Sequence, residues 1–584
     1  MQIKNQIQIT VAGKAGQGVL SMGSIIEEYF YNLGLYTFNW KDYASLIKGG
    51  PNSSMIRVSE ERIKNADKKI NILIALDKDS IEIHKKDLVI NSILIYDSGI
   101  IKESFLPKPN FKQKFYPIGI PLSLLSKEIE KTNFYINTIG IGALISVLKM
   151  DISVMNNILT KKYKKKSEKI FVNNLQALEN GYNYIKNNYI KTPKIFNPNI
   201  NKEMQHVLLT GSDAITLGAI RSGVSFVSAY PMTPATPTFE SLNKLSKQYN
   251  ILCLQAEDEI SAVNMTIGAS YSGVRSMTMT SGGGFSLMTE TIGFSGMSET
   301  PLVVLNAMRG GPSTGLPTKT EQSDLRFVLH SSQGEFPRII IAPGDSEEAF
   351  YHTQKAFNLA DKYQLPVIIL SDEYLSNSKM IFEDFEFDKV FLERGSIIKS
   401  AKELGADEYR RYELAKDGVS PRVFPGIVGL ITASTSDEHN QLSQLCEDPE
   451  NRIEQMNKRM SKEKSVLPEI PKPIIYGKDK TDITIICWGS NKNVCIEAGR
   501  ILEEQEISIN VIHFIYVYPL DEKKLLPILE NLNKVVIVEN NFTGQFAGLL
   551  KEKIGFLADE HLLKYNGEPF YPEEIVRFIH KKLL

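Results

Sequence analysis

Short apolar runs bounded by glycine, proline or polar clusters recur along the chain: IQITVAG, INILIALD, VSFVSAY, SMTMTSGGG, PLVVLNAM, DITIICWGS and KVVIVENN. Between them the apolar spacing relaxes to that of helices, as in LSMGSIIEEYF. Strands alternating with helices predict an α/β protein of several parallel-sheet domains. Two stretches break the rhythm. Residues 185–205 are polar, hold two prolines and show no period, which predicts a linker. Residues 400–475 are rich in charge and read as a connecting segment with some helix. The expected division is 1–190, a linker 191–205, 206–400, a connecting segment 401–474, and 475–584.

A length of 584 residues fits three or four units at about 150 residues each. No repeat of solenoid or propeller length is present. Lys and Arg number 67 against 68 Asp and Glu, so no global charge draws the chain to nucleic acid or to an anionic membrane. Small molecules and proteins are the expected partners. The four cysteines, Cys253, Cys446, Cys487 and Cys495, lack C-x-x-C spacing, so neither a disulfide framework nor an iron–sulfur or zinc site is expected from this chain alone. A reducing cytoplasm fits that usage. The N-terminus reads as a strand entering a glycine loop, and no apolar run is long enough to span a bilayer.

Candidate chemistry begins with GKAGQGV, where Gly13, Gly16 and Gly18 stand between a strand and a helix. Glycines there let backbone N–H groups turn toward an anion at a helix N-terminus. The spacing is G-x-x-G-x-G, which a tight turn without a ligand also satisfies. Further on, KGGPNSSMIRVS from Lys48 carries a second glycine pair and basic residues that could close over the same phosphate.

Residues 206–400 are richer. Four loops each follow an apolar run: YPMTP, AEDEIS, SGGGFS and RGGPSTGLPTKTEQ. In an open parallel sheet they share the carboxyl edge, where ligands bind. Glu257, Asp258 and Glu259 are expected in the first turn of a helix, where negative charge suits the dipole. The helix they open, AVNMTIGAS, reads as buried, and a carboxylate at a buried end could hydrogen-bond a heteroaromatic nitrogen. SGGGFS, with Gly282 and Gly283, offers exposed amides at a helix start, or only a turn. Arg309 beside a glycine pair suits a carboxylate by bidentate pairing; a solvated loop is the plainer reading of the same letters.

Taken together, AYPMTPATP, AEDEISAVNMTIGASYSGVRSMTMTSGGGFSLMTE and MRGGPSTGLPTKTEQSDL closely resemble the alpha subunit of the 2-oxoacid:ferredoxin oxidoreductases. GKAGQGV with KGGPNSSMIRVS resembles the gamma domain that many members fuse ahead of alpha. DGVSPRVFPG, SDEHN, CWGSN and VENNFTGQFAGLL resemble the connecting segment and a transketolase C-terminal-like domain. The resemblance covers essentially the whole chain. It implies a gamma-type domain at 1–190, a thiamine diphosphate pyrimidine-binding domain at 206–400 and a transketolase C-terminal-like domain at 475–584.

The resemblance also implies the reaction: oxidative decarboxylation of a 2-oxoacid, transfer of the acyl group to coenzyme A, and reduction of ferredoxin. The 2-oxoglutarate enzymes rank first and pyruvate second. Glu259 matches the glutamate that hydrogen-bonds the aminopyrimidine, with Glu257 the lesser candidate. Thr233 matches the threonine of a Tyr-Pro-x-Thr-Pro motif that contacts substrate near the thiazolium. Arg309 matches an arginine that binds the oxoacid carboxylate. Lys319 stands where many relatives have arginine and is a second substrate contact. Because ATP follows where Ser-Ser is common, Thr236 is expected as an N-cap with Pro237 at N1. No G-D-G with an Asn-Asn pair and no cysteine cluster is present. The resemblance therefore places Mg2+, the diphosphate grip and the [4Fe-4S] cluster on a separate beta subunit. Two other readings remain open at this stage: a non-catalytic assembly subunit whose glycine loops hold coenzyme A or a nucleotide, and a subunit of another thiamine-dependent dehydrogenase.

Overall fold

The computed structural model describes residues 5–45, 49–107, 115–200, 206–404 and 408–584. The chain divides into two compact units, 1–208 with 378–384, and 209–377 with 385–584.

In the first unit the strand Gln6–Lys14 lies at the middle of an eight-stranded sheet. On one side it pairs in parallel with Ile70–Ala75, which continues in parallel to Leu88–Asp97 and Phe115–Ile120. On the other side it pairs antiparallel with Pro51–Ser59, which pairs antiparallel with Tyr36–Asp42. The sheet is thus mixed. The stretch after Gly50, taken from its letters as a loop over a phosphate, is a nine-residue strand. Its alternation places Ile56 and Val58 in the core. Arg57 is buried too, with its guanidinium donating to the Asn65 carbonyl at 3.3 Å, so it does not close over the glycine loop. Lys48 lies outside the described residues. The helix Val19–Asn32 covers one face through Met22, Ile26 and Phe30. Each such side chain contributes roughly 1.5–3 kcal/mol by leaving water.

The second unit holds two sheets. The seven-stranded one runs 516–518, 339–341, 366–372, 302–308, 276–280, 226–229, 252–255 across its width. From 339–341 to 252–255 every pairing is parallel. The loops after Ala229, Gln255, Thr280 and Met308 therefore leave from one edge. A five-stranded sheet, mostly parallel, is built from 474–477, 509–514, 483–488, 534–539 and 560–563. The two sheets share a core in which Phe285, Met288 and Ile292 meet Trp488, Phe514 and Phe546. Among the described residues no helix is long and apolar enough to cross a membrane.

Candidate active site

The helix Glu259–Tyr271 begins two residues later than a first turn holding all three acids would require. Asp258 is its N-cap and accepts from the Ser261 amide at 2.7 Å, which holds its carboxyl below the usual range, while Glu257 precedes the helix. Only Glu259 enters the first turn. It is 3% exposed, and its Oε1 has no hydrogen-bond partner in the protein. The helix is buried on one side only: Ala262, Val263 and Thr266 face inward, whereas Ile260 and Met265 are exposed. A wholly buried helix was the expectation from AVNMTIGAS. The neighbouring edge strand Leu252–Gln255 is exposed as well, at Leu252 and Leu254.

Directly against Glu259 lies the helix Gly282–Met297, which opens on three glycines. A Cβ at Gly284 would sit 2.5 Å from Glu259 Oε1 and would overlap Thr280 Oγ1. Glycine is required there by close approach, whatever the backbone angle. The N-cap Ser281 gives no side-chain cap, and its buried Oγ is also unpartnered. Gly283 faces a cleft of about 950 Å³, whose walls include Met232, Arg309, Asp324, Phe542 and Tyr565.

The YPMTP loop follows the strand Phe226–Ala229, and its Thr233–Pro234 peptide is cis. The Thr233 carbonyl accepts from Arg309 Nη1 at 2.7 Å, so the two residues matched from the sequence are neighbours. Arg309 Nε has no partner. The helix beyond runs from Thr236, with Ala235 as N-cap and no side-chain cap. Thr236 is therefore the first helical residue and Pro237 the second, one step from the expected placement. Proline tolerates either, since neither amide has a helical acceptor.

Lys319 is placed differently. Its carbonyl accepts from the Gly310 amide, closing the loop, and its side-chain stem lies against Gly567, so it is not part of the cleft wall. Residues that the letters did not single out do more. Gln322 is fully buried and donates to the Trp488 carbonyl at 2.9 Å. Its Oε1 accepts from Asn491 at 2.8 Å and from the Asn540 amide at 3.1 Å. Asp324 lines the cleft and accepts from Asn306 Nδ2 at 3.1 Å. Burial raises its pKa, against the lowering effects of Asn306 and the nearby Arg309. Burial likewise raises Glu321, whose carboxylate is braced by Ser323 and the Gly311 amide. The one signal available in sequence was the polar residue Asn306 inside an apolar strand.

The first unit's glycine loop is assembled from local partners. Gly16 and Gly18 take positive φ, and Gly18 is the N-cap of Val19–Asn32. Gln17 Oε1 accepts from the Lys14 amide, Asn137 Nδ2 donates to the Gln17 and Gly18 carbonyls, and the Ala15 amide donates to the Gly50 carbonyl. Gly13 is pressed against Gln17, Val19 and Leu76. Lys14 pairs with Asp79 at 3.1 Å.

Three family sequence models match the chain. One described as pyruvate ferredoxin/flavodoxin oxidoreductase covers residues 8–184; one described as the thiamine diphosphate-binding region of pyruvate flavodoxin/ferredoxin oxidoreductase covers 217–458; the transketolase C-terminal domain covers 475–566. The chain is 32% identical to a 2-oxoacid:ferredoxin oxidoreductase subunit alpha of a Sulfolobus species, over 97% of this chain and 95% of that one. The chain belongs to the 2-oxoacid:ferredoxin oxidoreductase alpha-subunit family. It is also 31% identical to the 2-oxoglutarate synthase subunit KorA of Methanothermobacter thermautotrophicus, over 65% of this chain and 99% of that one. Its fold matches the 2-oxoglutarate:ferredoxin oxidoreductase from Magnetococcus marinus, solved with 2-oxoglutarate, coenzyme A and succinyl-CoA bound, with a TM-score of 0.92, 30% identity and full coverage of both chains. As a member of this alpha-subunit family, the chain is an oxidoreductase subunit with an α/β fold of the same three parts.

Proposed function

We propose that this subunit provides the pyrimidine-binding half of a thiamine diphosphate site for the oxidative decarboxylation of 2-oxoglutarate, with pyruvate the second choice, to acyl-coenzyme A and carbon dioxide. Electrons pass to ferredoxin, and a separate beta subunit supplies Mg2+, the diphosphate grip and a [4Fe-4S] cluster. Among the described residues no group of three or more His, Cys, Asp or Glu is placed to hold a metal ion. The enzyme works in the cytoplasm.

The observation that carries this reading is the buried Glu259 Oε1 without a protein partner, beside a glycine that leaves room for nothing larger. An unpaired buried carboxylate oxygen costs about 1–3 kcal/mol or more, so such a group is retained where a ligand completes it. An aminopyrimidine ring nitrogen is a suitable complement. Ser281, Gly282 and Gly283 would hold the same ring region, and the residues present fit the group. When bound, thiamine diphosphate supplies the carbon nucleophile that adds to the oxo carbon. Glu259 would hold or pass a proton at the pyrimidine ring nitrogen. Arg309, aimed by the Thr233 carbonyl, pairs with the substrate carboxylate. Thr233 orients the substrate beside it. The 2-oxoglutarate preference is supported by the KorA relatives and by the ligands named for the Magnetococcus enzyme.

Co-purification with a beta-type partner, followed by coenzyme A-dependent dye reduction with 2-oxoglutarate and pyruvate, tests the reading. Wild-type complex turns over and Glu259→Gln complex does not. Equal turnover by the two would remove Glu259 from the chemistry, and turnover confined to pyruvate would reverse the substrate order.

A further inference from the structure

Val428 and Ile431 of the connecting segment are the most exposed large apolar side chains among the described residues, at 92% and 88%. They lie in FPGIVGLIT, a loop whose tip is bare and whose base is fixed. Gly426 and Gly429 take φ of 97° and 83°, which folds the tip, and the Leu430 amide donates to the Ile427 carbonyl at 3.2 Å. On the entering side Phe424 packs on Gly273, where a Cβ would come within 2.7 Å of its ring. The Arg394 and Arg422 guanidinium groups lie over the same ring at 5.5 and 5.4 Å, and Arg422 is paired with the buried Asp361 at 2.8 Å. On the leaving side the Thr432 carbonyl accepts from Tyr271 Oη at 3.1 Å. Both ends of the loop are therefore held at the last turn of the helix Glu259–Tyr271 and the turn just after it. An apolar tip on an anchored base suits docking, because little ordering remains to be done when the tip is covered.

The same helix carries exposed apolar surface toward its other end. Asn264 Nδ2 donates to Thr291 Oγ1 at 3.0 Å, across to the helix Gly282–Met297. Ile260 and Leu287 each stand one turn before that bonded pair, and both are exposed. The two helices follow parallel strands and run the same way, so Ile260 and Leu287 lie side by side. Tyr271 is about three turns beyond Ile260 on the same helix face, which joins this surface to the base of the loop. One exposed face thus runs about 18 Å, from Glu259 with its unpartnered Oε1 to the loop. What covers it has to bring what the Glu259 end lacks. Among the described residues no group of three or more His, Cys, Asp or Glu is placed to hold a metal ion, so a second copy of this chain would bring no such group to the site. A chain carrying the diphosphate half of the site would.

We propose that residues 426–431 form a docking finger for the beta-type partner that completes the thiamine site, with Val428 and Ile431 seated against an apolar surface of that chain. Ile260 and Leu287 continue the contact toward Glu259. This rests on the reading of Glu259 as one half of a two-chain site. Two aliphatic side chains leaving water supply the driving force, and the anchored base keeps the entropic cost of seating them low. Because the finger and Glu259 sit at opposite ends of one rigid helix, contact at the finger also fixes where the partner stands at the glycine cradle.

The full chain is titrated with a purified beta-type partner, and binding is read directly by light scattering and by a surface biosensor, apart from any assay of activity. The variants are the pair Val428→Ser with Ile431→Ser, Ile260→Ser, and Phe134→Ser as a control that is 83% exposed in the first unit. The finger pair should keep the wild-type melting temperature and raise the dissociation constant about ten- to hundredfold. Turnover lost at limiting partner should return with excess partner. Ile260→Ser should raise the constant about three- to tenfold, and Phe134→Ser should leave it where it was. Equal affinity of the finger pair and wild type overturns the proposal. So does a wild-type chain that dimerises alone and becomes monomeric in the finger pair, which would assign the tip to a second copy. If the wild-type chain forms no complex with the partner, the two-chain reading fails and the finger with it. If the complex forms and Glu259→Gln is fully active, it is the role of Glu259 that fails, while the affinities still decide the finger.

Discussion

Two glycine clusters open helices after strands in this protein, and they solve opposite problems. At Gly13–Val19 the Lys14 and Ala15 amides and the Gln17 and Gly18 carbonyls are matched from within the first unit by Gln17, Gly50 and Asn137, and Lys14 is paired with Asp79. Among the described residues, two buried polar atoms beside this loop lack a partner, Asn137 Oδ1 and Asp77 Oδ2. Around Ser281–Gly284 four lack one: Glu259 Oε1, Ser281 Oγ, Asn306 Oδ1 and Arg309 Nε. The same residue type thus closes a turn in one place and leaves a cradle in the other. Glycine count does not distinguish them; the unmet hydrogen-bonding capacity around them does.

The contrast is most severely tested at Glu259. Glu259→Gln should reduce turnover of the complex by about 10²- to 10⁴-fold with an unchanged melting temperature; a matching loss of stability would make it a structural residue instead. Gly284→Ala comes next, since its methyl would press on Glu259 and Thr280, and a displacement of that kind costs about 10²-fold in turnover. A variant that keeps full activity would show that the close approach is incidental. In the first unit the expected effect moves from activity to stability. Asn137→Ala should lower unfolding free energy by about 1–3 kcal/mol, measured by denaturant titration, with KM for the 2-oxoacid unaltered. The smallest effect is expected at Lys319, whose replacement by alanine should shift KM by less than about threefold; a larger rise would restore it as a substrate contact.

All seven apolar runs named from the sequence are strands, because a buried parallel strand needs a continuous apolar stretch that few other elements require. The antiparallel strand Pro51–Ser59 was not legible, since PNSSMIRVS carries three polar residues before its apolar alternation begins. Its partner is the strand Gln6–Lys14, on the far side of the helix Val19–Asn32, where no local pattern points to the pairing. Thr233, Glu259, Gly282, Gly283 and Arg309 were legible as a group because their loops follow consecutive strands of one parallel sheet, which must deliver them to one edge. Gln322 and Asp324 were not. Gln322 acquires its role from Trp488, Asn491 and Asn540, more than 160 positions away. Lys319, two residues after Pro317 in a glycine-containing loop, looked equivalent to Arg309, but the direction of the loop carries its stem to Gly567.

By itself the sequence determined the alternation of strands and helices, the edge on which the candidate loops gather, and the residue types able to hold a heteroaromatic ring and a carboxylate. Those follow from local periodicity and chain order. The tertiary structure decided which of those groups are left unpaired: Lys14, Gln17 and Arg57 find partners in their own unit, while Glu259 and Arg309 keep open valences at the carboxyl edge. That decision depends on contacts between distant segments, and hydrogen-bond satisfaction is a property of the folded whole.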